Sequence, residues 1–311
     1  MKINLITADN GSGLSVDMQI LRSIFEPAGH EVFFTPWQSG EKPKGSFDVN
    51  IFLELFNPLH LSSAKRNFGI FNQEWFMVDW LAQIIRLDNV LCKTRHAQEI
   101  FNPWANCTYT SFTSRDLYDA SVKRIPEFLH LRGRSRTKGT MEALRAWKLN
   151  PSLPKLHIYY NKEFIKEEAA VISAEGLGSL PNVEFHFGFM SEAELFAVYN
   201  RYQFHLCPSP CEGFGHYINE GLSCGAVVLT TEAPPMNELI FAGITGFTAK
   251  HYFLEPHHAG WMFHPEPGSI AEEAWKMASL GQSEIKRYSE AGRVDFELRD
   301  KQARKRILEI L

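Results

Sequence analysis

No apolar run in this sequence approaches the ~20 residues needed to cross a bilayer, so no integral membrane segment is expected. The opening MKINLI is too short for a signal peptide. Cysteine is scarce and odd in number, five in 311 residues, which argues against a disulfide scaffold and for reduced thiols in a cytoplasmic protein. Basic charge is not in excess: 32 Lys and Arg stand against 36 Asp and Glu, a net charge of −4, the opposite of a protein held to nucleic acid by bulk attraction. Short-period repeats and low-complexity tracts are missing too, and 44% hydrophobic residues suffice for packed cores.

What is present is a rhythm of short apolar strands and amphipathic helices. MKINLIT breaks at Asp9-Asn10-Gly11-Ser12-Gly13, and Val16, Ile20, Leu21 and Ile24 then recur at helical spacing. HEVFFTPW, FDVNIFLELF, RNFGIFN and NVLCKT read as strands, with VDWLAQIIR and HAQEIF as helices. A second copy starts near Pro126: EFLHLRG, KLHIYY, VEFHFG, FHLCPS and AVVLTT as strands, with helices between them and a closing amphipathic helix over the last ~15 residues. Alternating elements imply parallel sheets covered by helices on both faces. The expected domains are 1–122 with the closing helix at about 296–311, and 123–295. Two such α/β domains would leave a cleft facing their strand ends, where open sheets bind ligands.

The segment CPSPCEGFGHYINEGLSCGAVVLTTEAPPMNELI, from Cys207, carries the strongest chemical signal. Pro208 and Pro210 stop a strand, Gly213-Phe214-Gly215 makes a turn, and a helix follows to about Gly225. A glycine turn opening onto a helix N-terminus suits an anion such as a diphosphate. Glu212 and Glu220, with seven residues between them, are acceptors for sugar or ribose hydroxyls. Read alone, they could equally be a solvated pair beside an ordinary strand–turn–helix. RGRSRTK, with four cations in seven residues, could be a phosphate loop or a solvated basic stretch; the Gly-Thr and helix after it favour phosphate. NGSGLSV matches a dinucleotide-binding turn only in part, because Val16 stands where the third glycine belongs. His205-x-Cys207-x3-Cys211 has ligand types that suit zinc but no second pair nearby, so buried thiols are expected.

Three motifs in order make the C-terminal half resemble the retaining GT-B glycosyltransferases of the group 1 type. They are the Glu-x7-Glu segment, FLHLRGRSRTKGTMEALRAW (128–147) and NVEFHFGFMSEAELFAVYNRYQFHLCPS (182–209). The N-terminal half is similar only in its first glycine turn and its rhythm. The resemblance implies two Rossmann-like domains with an interdomain cleft, the C-terminal helix closing back onto the N-terminal domain. It implies transfer of a sugar from a nucleotide-diphosphate donor, UDP or GDP, to an acceptor hydroxyl with retention, without metal or cofactor. Lys138, with Arg134 or Arg132 beside it, would hold the leaving diphosphate. Glu212 with the backbone of Phe214 and Gly215 would hold the sugar, and Glu220 the ribose. Gly188 and Phe189 would lie near the base, and Gly11 and Gly13 would approach the diphosphate. Gly133, Ser135, Gly213 and His216 complete the donor set.

On the acceptor side, the stretch that resembles the usual histidine-bearing one is GIFNQEWFMVDW, with Asn72, Gln73 and Glu74 in place of that histidine. Glu74 would orient or deprotonate a hydroxyl, or cap the next helix. The acceptor would be a glycan, a small molecule or a modified base. Three other readings stay open: a nucleotide-sugar epimerase of the same fold, a glycosyltransferase acting on modified DNA bases, and a non-catalytic nucleotide-binding protein.

Overall fold

A computed structural model of the chain describes every residue except 10, 12, 41–44, 134 and 162–164, and the side chains of 165–167. It divides into two units. The first comprises Met1–Arg115, Pro256–Trp261 and Leu298–Leu311, and the second Asp116–Glu255 and Met262–Glu297.

In the first unit, β1 (Lys2–Thr7), α1 (Gly13–Phe25), β2 (Glu31–Pro36), β3 (Phe47–Leu53), β4 (Ala64–Ile70), β5 (Asn89–Cys92), α2 (Arg95–Phe101) and β6 (Cys107–Tyr109) follow in chain order. The strands form one sheet in the order β2-β1-β3-β4-β5-β6, every pair parallel. Strands β1 and β3 are buried almost throughout, as strands covered on both faces must be. Phe52, Phe71, Phe76, Ile84 and Phe101 pack beside them as an apolar core. Thr94 starts α2 by accepting the Ala97 N–H at 3.0 Å. VDWLAQIIR is a 3-10 helix (Val78–Arg86) rather than the expected α-helix. Its buried residues, Leu81 and Ile84, lie three apart, the period of a 3-10 turn.

The second unit runs β7 (Ile125–Gly133), α3 (Thr140–Leu149), β8 (Leu156–Tyr160), α4 (Ile165–Ala174), β9 (Val183–Phe187), α5 (Glu192–Arg201), β10 (Tyr202–Cys207), α6 (His216–Ser223), β11 (Val227–Thr231) and β12 (Gly246–Ala249). Its parallel sheet has the order β12-β11-β10-β7-β8-β9. Trp147, Phe128, Leu156, Phe204 and Leu229 fill one side, closed by α7 (Pro267–Ala278). Ser191 and Glu194 form a reciprocal capping box at the start of α5.

β13 (His251–His257) and β14 (Gly260–Pro265) pair with each other, and neither was expected from the sequence. Helix α8 (Gln282–Ile310) is 29 residues long, about twice the expected closing helix. Gly292 obscured its first half: it sits mid-helix because a Cβ there would press on Leu222. The last turns of α8 pack with the first unit, where Asp300 accepts from Thr113 at 2.8 Å and Arg304 donates to Ser23 at 3.1 Å.

Both sheets reverse direction once. Relative to its first strand, the second sheet has the 3-2-1-4-5-6 order of dinucleotide-binding folds, and the first sheet begins 2-1-3 as in the flavodoxin type. The architecture is therefore two Rossmann-like units, the GT-B arrangement. The switch points lie between β7 and β10, and between β1 and β3.

Candidate functional site

At the switch point of the second sheet, the segment after β7 meets the turn after β10. Lys138 Nζ lies 2.5 Å from Glu212 Oε1. Both side chains are largely withdrawn from solvent, at 17% and 12% exposed. The same carboxylate oxygen accepts from the Ser209 hydroxyl at 2.5 Å, and Ser209 lies 2.6 Å from the Tyr217 hydroxyl. The Lys138 ammonium also stands 4.0 Å from the centre of the Tyr217 ring, a cation–π arrangement. Burial raises the Tyr217 pKa well above its ordinary value, so the hydroxyl stays protonated.

Gly139 makes this approach possible, and Gly215 shapes the turn before α6. Gly139, left-handed at φ 65°, precedes α3, and a Cβ there would overlap the Pro208 carbonyl. Gly215, at φ 98°, precedes α6, where a Cβ would come within 3.0 Å of Ile218. The loop before α3 and the loop after β10 thus pass backbone to backbone at Gly139 and Pro208, and the first turn of α6 follows directly. His216 begins α6 with its ring edge-on to Phe214 at 5.3 Å.

The remaining donor candidates of this unit are distributed as follows. Glu220 is buried within α6, and the Tyr199 hydroxyl donates to its Oε2 at 2.7 Å. Gly133 ends β7 in the left-handed region. Ser135 Oγ accepts the Thr137 N–H at 3.2 Å, a local hydroxyl turn. Gly188 follows β9 with its N–H donating to the Tyr160 carbonyl at 3.1 Å, and Phe189 beside it is 81% exposed. Arg132, expected beside Lys138 at the diphosphate, points into the protein instead. It is fully buried on β7 and donates from Nη2 to Glu168 Oε1 at 2.9 Å, while Tyr160 donates to the other oxygen at 2.7 Å. Arg134 lies outside the described residues.

Sequence reasoning passed over His130, Ser209, Tyr199 and Tyr217. His130 is buried on β7, with Nδ1 2.9 Å from the Leu206 carbonyl and Nε2 2.8 Å from Thr140 Oγ1. It joins β7 to β10 and to the start of α3. Burial pushes its pKa down to about 4, with nearby Lys138 and Arg132 adding to the shift.

In the first unit, Gly11 follows β1 at φ 62°, its N–H donating to Ser15 Oγ at 2.8 Å, and Gly13 opens α1. Asn72 donates to Glu54 Oε2 at 2.6 Å, while Gln73 and Glu74 are buried and the Gln73 carbonyl accepts from Ala259 N–H at 3.2 Å. Glu54 was not anticipated. It follows β3 at the switch point, holds a left-handed φ of 61°, and has its pKa raised by burial against the opposing pull of Lys93 and Asn72. Lys93 and Asp17 form a buried ion pair at 2.5 Å. The signal that could have found Glu54 is a carboxylate placed directly after the apolar end of a buried strand, Ile51-Phe52-Leu53, at a sheet reversal.

Cys207 and Cys211 are buried free thiols. No helix among the described residues is long and apolar enough to cross a membrane.

Residues 124–260 match the family model of glycosyl transferases group 1. That span is just under half of the chain and contains every element of the Lys138–Glu212 site. Among curated proteins, none matches the sequence. Among solved structures, the chain is similar to sucrose-phosphate synthase from Thermosynechococcus elongatus, at TM-score 0.75 and 11% identity, covering 100% of this chain and 98% of that one. It is similar to HepE from Anabaena, solved with UDP and glucose, at TM-score 0.72 and 15% identity, covering 100% and 99%. The pneumococcal O-GlcNAc transferase GtfA, solved with UDP and GlcNAc, gives TM-score 0.61 and 15% identity over 84% of this chain. The chain spans 56% of that transferase's length. At these identities the likeness carries the fold.

Proposed function

We propose that this protein transfers a glycosyl group from a nucleoside-diphosphate sugar to an acceptor hydroxyl, with retention at the anomeric carbon and without a metal. The observation that carries the reading is the meeting of Lys138 and Glu212 at the switch point, beside the start of α6. A cation, a helix N-terminus and a hydrogen-bond acceptor for sugar hydroxyls converge where open sheets bind nucleotides. The family match over this same span supports it, and the UDP bound in HepE and in GtfA supports UDP as the donor.

In this reading Lys138 leaves Glu212 for the diphosphate and stabilises the charge that grows on it as the glycosidic bond breaks. Glu212 turns to the sugar, together with the backbone amides of Phe214 and Gly215. Glu220, steadied by Tyr199, addresses the ribose, and Gly188 with exposed Phe189 borders the base. Arg132 holds β7 to α4 from inside and takes no part in binding. The acceptor oxygen bonds to the anomeric carbon on the face the diphosphate leaves, and its proton passes to the departing phosphate oxygen. Positioning and leaving-group stabilisation supply the catalysis, with no protein nucleophile. Asn72, Gln73 and Glu74 address the acceptor hydroxyl, with Glu54 fixing Asn72.

Incubation with a panel of UDP-, GDP-, ADP- and dTDP-sugars, followed by product analysis, tests the assignment. Transfer to an acceptor, or slow donor hydrolysis without one, is expected from wild type and not from Lys138→Ala. Conversion of the donor into a new nucleotide sugar would identify an epimerase instead. No turnover with any donor, together with unchanged UDP binding in Lys138→Ala, would overturn the proposal.

A further inference from the structure

The second sheet carries another group of side chains, on β7, β8 and β9 and apart from Lys138 and Glu212. Alternation along β8 turns Leu156, Ile158 and Tyr160 into the apolar core and leaves His157 and Tyr159 on the other face. β9 does the same, with Val183 and Phe185 inward and Glu184 and His186 outward. The parallel register sets His157 beside Glu184 and Tyr159 beside His186.

The polar atoms converge. His157 Nδ1 and His186 Nε2 are 2.9 Å apart, His186 Nε2 is 3.5 Å from Glu184 Oε1, and His157 Nδ1 is 3.9 Å from Glu184 Oε2. One ligand atom from each residue lies within 4.8 Å of the others, an arrangement that, among the described residues, these three side chains share with no other group. The far nitrogen of His157, Nε2, is 2.6 Å from Glu127 Oε2 on β7. That contact fixes the Nε2–H tautomer and aims the lone pair of Nδ1 at His186 and Glu184. Tyr159 stacks on the His186 ring at 4.4 Å and 12°, holding its plane.

We propose that His157, His186 and Glu184 form a zinc site, with Glu127 orienting His157. A tetrahedral Zn2+ with ligands at about 2.0–2.1 Å spaces them about 3.3 Å from one another. The separations of 2.9 Å between His157 Nδ1 and His186 Nε2 and 3.5 Å between His186 Nε2 and Glu184 Oε1 bracket that value, so small side-chain rotations complete the site. Two imidazoles and a carboxylate are borderline ligands of the kind zinc takes, and a carboxylate behind a ligating histidine is the usual outer support. Access is open on one side: His157 is 7% exposed, but His186 is 30% and Glu184 45%, which leaves a fourth position for water. Lys155 competes for Glu184, yet it holds Oε2 at 3.0 Å, while Oε1 faces His186. A bound ion would tie the edge strand β9 to β8.

Calorimetric titration of the chelator-treated full chain with ZnCl2 tests this, with Co2+ absorption as the geometric readout. Wild type should bind one equivalent at this site, and Co2+ should show the intense visible bands of a tetrahedral site. Glu127→Gln should weaken Zn2+ about tenfold to a hundredfold, as loss of an outer carboxylate does. His186→Ala should abolish binding at this site. Because His186 is partly exposed at an edge strand, the variant is expected to melt with metal-free wild type; Glu184→Gln provides an independent second loss. Zn2+ binding by either variant with wild-type affinity and stoichiometry would overturn the proposal, as would the absence of any Zn2+ binding by wild type.

Discussion

Replacing Glu212 by Gln separates nucleotide binding from turnover. Lys138 pairs with Glu212 at 2.5 Å, so on the proposed reading a diphosphate takes the lysine from that carboxylate. Two unit charges ~4 Å apart attract by about 4 kcal/mol at an effective dielectric of about 20. The net worth of such a charged hydrogen bond in a protein is nearer to about 1.5–3 kcal/mol. Gln keeps the shape and the contact with Ser209 but removes the charge. UDP should therefore bind roughly tenfold to a hundredfold more tightly to Glu212→Gln, at ~1.4 kcal/mol per factor of ten. Transfer should fall at the same time if, as proposed, Glu212 is the charged acceptor for the sugar hydroxyls. Calorimetry with UDP reads the first effect and product formation at saturating donor reads the second. Adding Lys138→Met to Glu212→Gln should cancel the gain, since neighbouring groups couple. If Glu212→Gln, folded as wild type, bound UDP no better or more weakly, the idea of a diphosphate displacing Glu212 from Lys138 would be refuted.

Gly139→Ala should destabilise by about 2–5 kcal/mol, combining a left-handed backbone penalty with overlap on the Pro208 carbonyl. Gly29→Ala, left-handed at φ 82° with nothing within 4 Å, should lose only about 1–2 kcal/mol, and equal losses in urea melts would contradict the close approach. His130, with its folded pKa depressed to about 4, contributes stability that is complete above its unfolded value near 6.5 and drains away as pH falls towards 4. The contribution is about 3 kcal/mol across that window, and urea melts of His130→Asn should show a correspondingly flatter pH dependence. Lys93→Met strands Asp17 as a buried charge and should cost about 3–5 kcal/mol, much of it recovered by Asp17→Leu/Lys93→Met. A double variant no more stable than the single one would show that the pair is not coupled.

The alternation of strands and helices was legible because both sheets are parallel and buried on two faces, which makes their strands short apolar runs. β13 and β14 were not, because most of their residues are partly or fully exposed and their histidines and prolines look like loop. The basic stretch misled for a geometric reason. Counting four cations in RGRSRTK treats them alike, but Arg132 still belongs to β7, where position along the strand turns it inward. Its partner Glu168 lies 36 residues further on, invisible to any local pattern. Lys138 was legible because it falls past the end of that strand, in a loop followed by Gly-Thr and a helix.

His130 and Tyr217 show a subtler limit. A histidine inside an apolar strand and a tyrosine in the second position of a helix both read as ordinary core, and both are buried. What distinguishes them is what they join: His130 ties β7 to β10 and to α3, and Tyr217 lies under Lys138 beside Ser209. Such joints form where the chain order of a sheet reverses, because there two loops distant in sequence leave adjacent strands side by side. In the first unit Glu54 leaves β3 beside β1 at the reversal, while the Asn72 it binds follows β4 on the other side. Sheet order is thus the missing term between motif and site. Once the reversal is known, the residues just past the two adjacent strands are the first places to look for chemistry, and those are where Lys138, Glu212 and Glu54 stand.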